Sequence, residues 1–171
     1  MKIGIISDSH DNGIAVENAL KIFKEKGVEL IIHLGDIISP FTAKKLFNLG
    51  VPVKAVFGNN DGEKKFMREI FQNFGGEIAE YTWVGEIDGI KIAFTHGHIH
   101  YLVESLIDSN KYDIVFSGHT HEKVEEKHEK TLHLNPGESG GWLKSEGNVI
   151  ILETNPLNYK FVSFDPFNKI G

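Results

Sequence analysis

The chain opens MKIGIISDSHD, residues 1–11. Lys2–Ser7 reads as a buried strand, and it stops without transition on Asp8, Ser9 and His10. Asp and His commonly end strands, so this stretch settles nothing alone. It poses a question: does the rest of the chain supply partners for a carboxylate and an imidazole two residues apart?

Working outward, short apolar runs recur at Leu30–Leu34, Pro52–Phe57, Ile90–Thr95 and Asp113–Ser117. Segments of helical period alternate with them. Val16, Ala19, Leu20 and Phe23 fall at i, i+3, i+4 and i+7 on one face, and Phe66, Met67, Ile70, Phe71 and Phe74 repeat the pattern. Ser39-Pro40 has the form of an N-cap followed by proline at the first helical position, with Gly50 as the stop. Leu102, Leu106 and Ile107 mark a shorter fourth helix. Alternating strands and helices predict an α/β fold with a parallel-rich sheet. From Lys123 onward the pattern is strands: a hairpin around Glu129-Lys130, then Asn148–Thr154 and Asn158–Phe164. These predict a second, more antiparallel sheet packed on the first. The 171 residues contain no linker, repeat or low-complexity tract, so residues 1–171 are expected to form one domain.

Composition narrows the function. The formal charge of −6 argues against a protein that lives on the nucleic-acid backbone, where a basic footprint is expected. A phosphate-bearing substrate stays open, because bound cations change the local charge. Cys is absent, which excludes disulfides and thiolate metal sites. No apolar run approaches the roughly 20 residues of a membrane span, and the opening lacks a signal-peptide layout. The expected location is the cytoplasm.

Five strand ends then repeat one event. The strands end in Asp8-Ser9-His10, Gly35-Asp36, Gly58-Asn59-Asn60-Asp61, His96-Gly97-His98 and Gly118-His119-Thr120-His121. Ligands of α/β sheets sit outside the carboxyl ends of the strands. Several carboxylates gathered there need a counter-ion. Imidazole with carboxylate and no thiolate suits Mn, Fe, Zn, Ni or Co, and this many ligands exceeds one coordination shell. Each motif singly has a plainer reading: Asp61, for instance, has the place of an N-cap for the helix beginning near Glu63.

As an ordered set, Asp8-x-His10, Gly35-Asp36, Gly58-Asn59-x-Asp61, His96-Gly-His98 and Gly118-His119-x-His121 resemble the five motifs of the calcineurin-like metallophosphoesterases. With Leu134-Asn135-Pro136-Gly137 the chain looks most like the small, single-domain phosphodiesterase branch. The resemblance implies a four-layer α/β/β/α sandwich of two mixed β-sheets. It implies one divalent metal on Asp8, His10 and His121, a second on Asn59, His96 and His119, and Asp36 bridging them. A metal-bridging hydroxide would attack phosphorus in line. Manganese is the expected metal, with Ni, Co, Fe or Zn as alternatives. Asn59 and His98 would contact a small phosphodiester, and a homodimer is an open possibility. Much of the superfamily has a His where this chain has Asn60. An amide is no general acid at neutral pH, so His98 takes that catalytic role or the enzyme prefers activated leaving groups. A second departure is Glu138, where the branch often has Ser; it is expected to shape only the rim. Two other functions compete: a phosphomonoesterase, for which no Arg cluster is evident, and a protein-interaction scaffold like the retromer subunit of this branch.

The other polar residues read more plainly. His33 is expected in the core behind the site, His100 at a helix start, and His128 and His133 at surface or strand positions. Glu125, Glu126, Lys127, Glu129 and Lys130 read as a solvated hairpin tip. Lys64, Lys65 and Arg68 read as the solvent side of a helix whose other face is Phe66, Ile70 and Phe74.

Overall fold

In a computed structural model, residues 1–170 are described. The elements follow in chain order. Strand β1 (Lys2–Ile6) leads to α1 (Gly13–Lys26), β2 (Leu30–His33), α2 (Pro40–Lys45), a 3-10 turn (Leu46–Leu49) and β3 (Val53–Val56). Helix α3 (Lys64–Asn73), β4 (Glu77–Ala79), β5 (Thr82–Ile87), β6 (Ile90–Thr95) and α4 (His100–Asp108) come next. The chain then continues through β7 (Ile114–Phe116), β8 (Lys123–Lys127), β9 (Leu132–Pro136), β10 (Gly147–Thr154) and β11 (Leu157–Phe164). The five apolar runs and four helices expected from periodicity all form.

One sheet has the order β11-β10-β1-β2-β3-β4 and the other β5-β6-β7-β9-β8. Both are mixed. β1 pairs parallel with β2 and antiparallel with β10, and β9 pairs parallel with β7 and antiparallel with β8. Ile3, Ile5, Ile32, Leu34 and Val56 of the first sheet meet Ile92, Phe94, Ile114, Phe116 and Leu134 of the second. The outer face of the first sheet packs on α1 and α3 through Val16, Ala19, Phe23, Met67 and Phe71. The outer face of the second packs on α4 through Ala93, Val115, Leu106 and Ile107. This is the expected four-layer sandwich. Its packing is tight: a Cβ on Gly4 would lie 2.8 Å from the Phe23 ring, itself wholly buried. Truncating such a ring to Ala costs about 3–5 kcal/mol.

Three expectations need correction. The strand-rich tail does not form a sheet of its own. β10 and β11 extend the first sheet, while the β8–β9 hairpin joins the second. β10 is buried along nearly its whole length, and a strand of that kind belongs in the interior of a sheet, beside β1. Phe66 and Phe74 are each 49% exposed rather than inside; Met67, Ile70 and Phe71 supply the buried face of α3. Asp61 does not cap α3, which begins at a Glu63 that makes no side-chain cap bond. The Asp61 carboxylate is turned inward instead.

Candidate metal centre

All five motifs lie at the carboxyl ends of β1, β2, β3, β6 and β7. The parallel pairings β1–β2–β3 and β6–β7 bring these ends to one side of the sandwich. The backbone turns sharply there. Asp8, His10, Asp36, His119 and His121 all have positive φ, between 43° and 69°. Left-handed backbone costs a non-glycine residue on the order of 1–2 kcal/mol, and Asp and His are among the side chains that tolerate it best. Such strain gathers at functional sites. The glycines preceding several candidate ligands have a steric reason. A Cβ on Gly58 would sit 2.1 Å from Asp36 Oδ1, and one on Gly118 would sit 2.0 Å from Ser7 Oγ.

Asp8 is wholly buried. Its Oδ2 accepts from Ser7 Oγ and from the His119 backbone N–H at 3.0 Å. Its Oδ1 is buried without any hydrogen-bond partner. That atom stands 3.5 Å from His121 Nε2 and 3.8 Å from His10 Nε2, and the two imidazole nitrogens are 3.3 Å apart. Burial pushes the Asp8 carboxyl up, opposed by His96, Ser7 and His121.

Asp36 lies between this group and the next. Its Oδ2 is 3.5 Å from His10 Nε2 and 3.4 Å from His96 Nε2. Burial raises the Asp36 carboxyl, but His96 and the two N–H donors of Asn60 outweigh it and hold it well below the carboxylate range. Asn60 donates its backbone N–H to Asp36 Oδ1 at 2.9 Å and its side-chain amide to Oδ2 at 2.8 Å. Asn60 therefore positions the carboxylate that lies between the two groups.

His96 donates Nδ1–H to the Leu34 carbonyl at 2.9 Å. Its Nε2 faces Asn59 Oδ1 at 3.0 Å, beside Asp36 Oδ2. His119 packs edge-on to His96, ring centroids 5.2 Å apart. His98 lies 5.4 Å from His96, with its Nδ1 buried and unpartnered. Burial and then His96 push both His98 and His119 down, His119 adding to the effect on His98 and His100 to that on His119, so neither holds a spare proton at neutral pH.

These observations test the fit of a metal. His96 and His121 each have Nδ1 committed to an acceptor, which leaves Nε2 as the nitrogen available to a cation. Those nitrogens face carboxylate and amide oxygens, and although burial lowers the His96 pKa, Asp36 and Asp8 outweigh it and raise it. Divalent cations satisfy such a donor set. Asp8, His10 and His121 offer ligand atoms within 4.8 Å of one another, as do Asp8, Asp36 and His96. Asn59 and His119 lie against His96.

Two supporting carboxylates were not legible as such. Asp61 accepts the backbone N–H groups of Asp36 (3.0 Å), Ile38 (2.7 Å) and Gly58 (2.7 Å), tying the second and third motif loops together. Glu138, expected at the rim, is wholly buried and accepts Nδ1–H of His121 at 3.0 Å. The sequence offered one signal for it: a carboxylate directly after Asn135-Pro136-Gly137. His33 sits as expected. It takes the Gly35 N–H on Nδ1 at 3.1 Å and reaches Ser9 Oγ with Nε2 at 3.1 Å.

The calcineurin-like phosphoesterase superfamily domain matches residues 1–156. The chain belongs to that superfamily and is a metal-dependent phosphoric ester hydrolase. Among its relatives, Phosphodiesterase MJ0936 of Methanocaldococcus jannaschii is 41% identical over 162 residues, 94% of this chain and 97% of that one. Phosphodiesterase YfcE of Escherichia coli is 29% identical over 150 residues, 80% of this chain and 78% of that one. The solved structure of an archaeal phosphodiesterase matches with a TM-score of 0.91 at 39% identity, over 96% of this chain and 100% of that one. Zinc-complexed Vps29 from Entamoeba histolytica matches with a TM-score of 0.67 at 20% identity, over 97% of this chain and 99% of that one, a likeness of fold alone.

Proposed function

We propose that the protein is a two-metal phosphodiesterase acting on a small diester. The observation that carries the reading is Asp8 Oδ1, a buried carboxylate oxygen with no hydrogen-bond partner, set between His10 and His121. Asp8, His10 and His121 would hold one divalent ion; Asn59, His96 and His119 the other; Asp36 would touch both. Such a pair of ions activates water and neutralises phosphoryl charge.

The chain's own residues set the rest. Leu34 and Glu138 fix the rings of His96 and His121 through their Nδ1–H groups. Asn60 keeps Asp36 ionised and oriented. Asn59 and His98 flank the place where a phosphoryl group would lie. His98 is held neutral and Asn60 is committed to Asp36, so the leaving group finds no strong acid. Activated leaving groups are therefore preferred.

The charge of the rim favours a diester over a monoester dianion. Lys64 is paired with Glu80 at 2.8 Å, and Arg68 is paired with the same carboxylate. The retained ligand set favours catalysis over a scaffold.

The test is hydrolysis of bis-p-nitrophenyl phosphate by metal-stripped protein titrated with Mn²⁺, Ni²⁺, Co²⁺ or Zn²⁺, with p-nitrophenyl phosphate in parallel. Metal-dependent diester cleavage exceeding monoester cleavage is expected. Faster monoester cleavage would establish the phosphomonoesterase. Inactivity on both with every metal would overturn the catalytic reading.

A further inference from the structure

A second cluster of ligating side chains lies away from this centre, on the β8–β9 hairpin. Glu126 and His133 are directly opposed across the two strands, and His128 follows the end of β8. Glu126 Oε2 is 3.6 Å from His133 Nδ1 and 3.5 Å from His128 Nε2, and the three ligand atoms lie within 4.8 Å of one another.

His133 is the informative member. It is 8% exposed, and its Nδ1 is buried with no hydrogen-bond partner. Its Nε2 lies 2.8 Å from Ser117 Oγ. A buried N–H without an acceptor would be costly, so the ring proton belongs on Nε2, donated to Ser117. Nδ1 then presents a lone pair toward Glu126 and His128. An ordinary cross-strand ion pair would close to hydrogen-bond distance, and this one does not. Burial also pushes His133 down, opposed by Glu126, so the ring is neutral at neutral pH, the form that binds metals. Among the described residues, no Lys or Arg pairs with Glu126.

Tetrahedral zinc, with bonds of about 2.0–2.1 Å, sets neighbouring ligand atoms roughly 3.3 Å apart. Two of the three separations here are already within a few tenths of an ångström of that spacing. The ring N–H donated to Ser117 is the kind of outer contact that orients a ligating histidine. We propose that Glu126, His128 and His133 form a further zinc site, distinct from the hydrolytic centre, that pins edge strand β8 to β9. Two imidazoles and one carboxylate define a borderline divalent cation, and the half-exposed position of His128 leaves room for water as a fourth ligand.

The experiment compares full-length wild type with His128→Ala and Glu126→Gln. Each chelated protein is dialysed against micromolar Zn²⁺, and bound metal per chain is measured by elemental analysis. Wild type should hold one ion more than either variant, whatever the total, so the result does not depend on the stoichiometry of the hydrolytic centre. Diester hydrolysis should be unchanged in both variants. A second readout leaves His133 in place: its Nδ1 signal in ¹⁵N NMR should shift with zinc in wild type and stay fixed in His128→Ala. Equal metal content in all three proteins, or a zinc-induced Nδ1 shift that survives in His128→Ala, would overturn the site.

Discussion

Glu138 accepts the Nδ1–H of His121 at 3.0 Å from a position with no solvent exposure. Its other oxygen accepts the backbone N–H of Leu143 at 2.9 Å and that of Lys144. One carboxylate thus fixes the tautomer of a candidate ligand and ties down the loop that follows it. Partners of this kind are commonly worth 10–100-fold in metal affinity. Glu138→Ala should lose about that much, read as a higher Zn²⁺ or Mn²⁺ concentration for half-maximal diester hydrolysis. Glu138→Gln keeps an acceptor and should lose less. Equal effects of the two would show that His121 does not depend on the bond.

Asp36 faces His10 at 3.5 Å and His96 at 3.4 Å with the same oxygen. Asp36→Ala should lower diester turnover by more than about 100-fold and weaken both bound ions, because the shared charge is removed. Metal content and kcat are the two readouts. Near wild-type turnover would break the bridging assignment.

Asp61 satisfies three backbone donors at once, two of them buried. Asp61→Ala leaves them unpaired and should destabilise the fold by about 2–4 kcal/mol, seen as a lower urea midpoint. Metal affinity should fall too, since Asp36 and Gly58 are both released. An unchanged midpoint would mean that water replaces the carboxylate.

His33 is wholly buried, and burial lowers its pKa from 6.5 to about 3, with His96 adding to the effect and Asp36 opposing it. The unfolded chain takes up a proton below about 6.5, and the folded chain does not until about 3. The contribution is complete above the unfolded value and is lost as pH falls from about 6.5 toward 3, with a slope of up to about 1.4 kcal/mol per pH unit. Urea unfolding of metal-free protein between pH 7.5 and 4.5 should show a steeper decline in wild type than in His33→Gln. Parallel curves would mean that His33 titrates normally.

The strand ends show how much a local pattern carries. Each apolar run followed by Gly, Asp, Asn or His is a complete statement within a few residues, because side-chain period and turn chemistry are local. The order of the five motifs, the helix face of Val16, Ala19, Leu20 and Phe23, and the α/β class are all legible in this way. The partition of the tail is not. Whether β10 pairs with β1 or stacks in another sheet is decided by which edge it covers, and nothing within residues 147–154 states that.

Asp61 and Glu138 divide along the same line. Both are visible as carboxylates near motifs, yet their work depends on donors far along the chain: Asp36 N–H is 25 residues from Asp61, and His121 is 17 from Glu138. The same holds for His133, whose surroundings come from two neighbouring strands. By itself the sequence determined the elements, the five strand ends and the ligand chemistry they offer. The tertiary structure alone decided which sheet each tail strand joins, which nitrogen His96 and His121 turn toward the carboxylates of the candidate site, and which acceptors hold them there. Those outcomes depend on which hydrogen-bond partners remain once water is excluded, and only the packed chain supplies them.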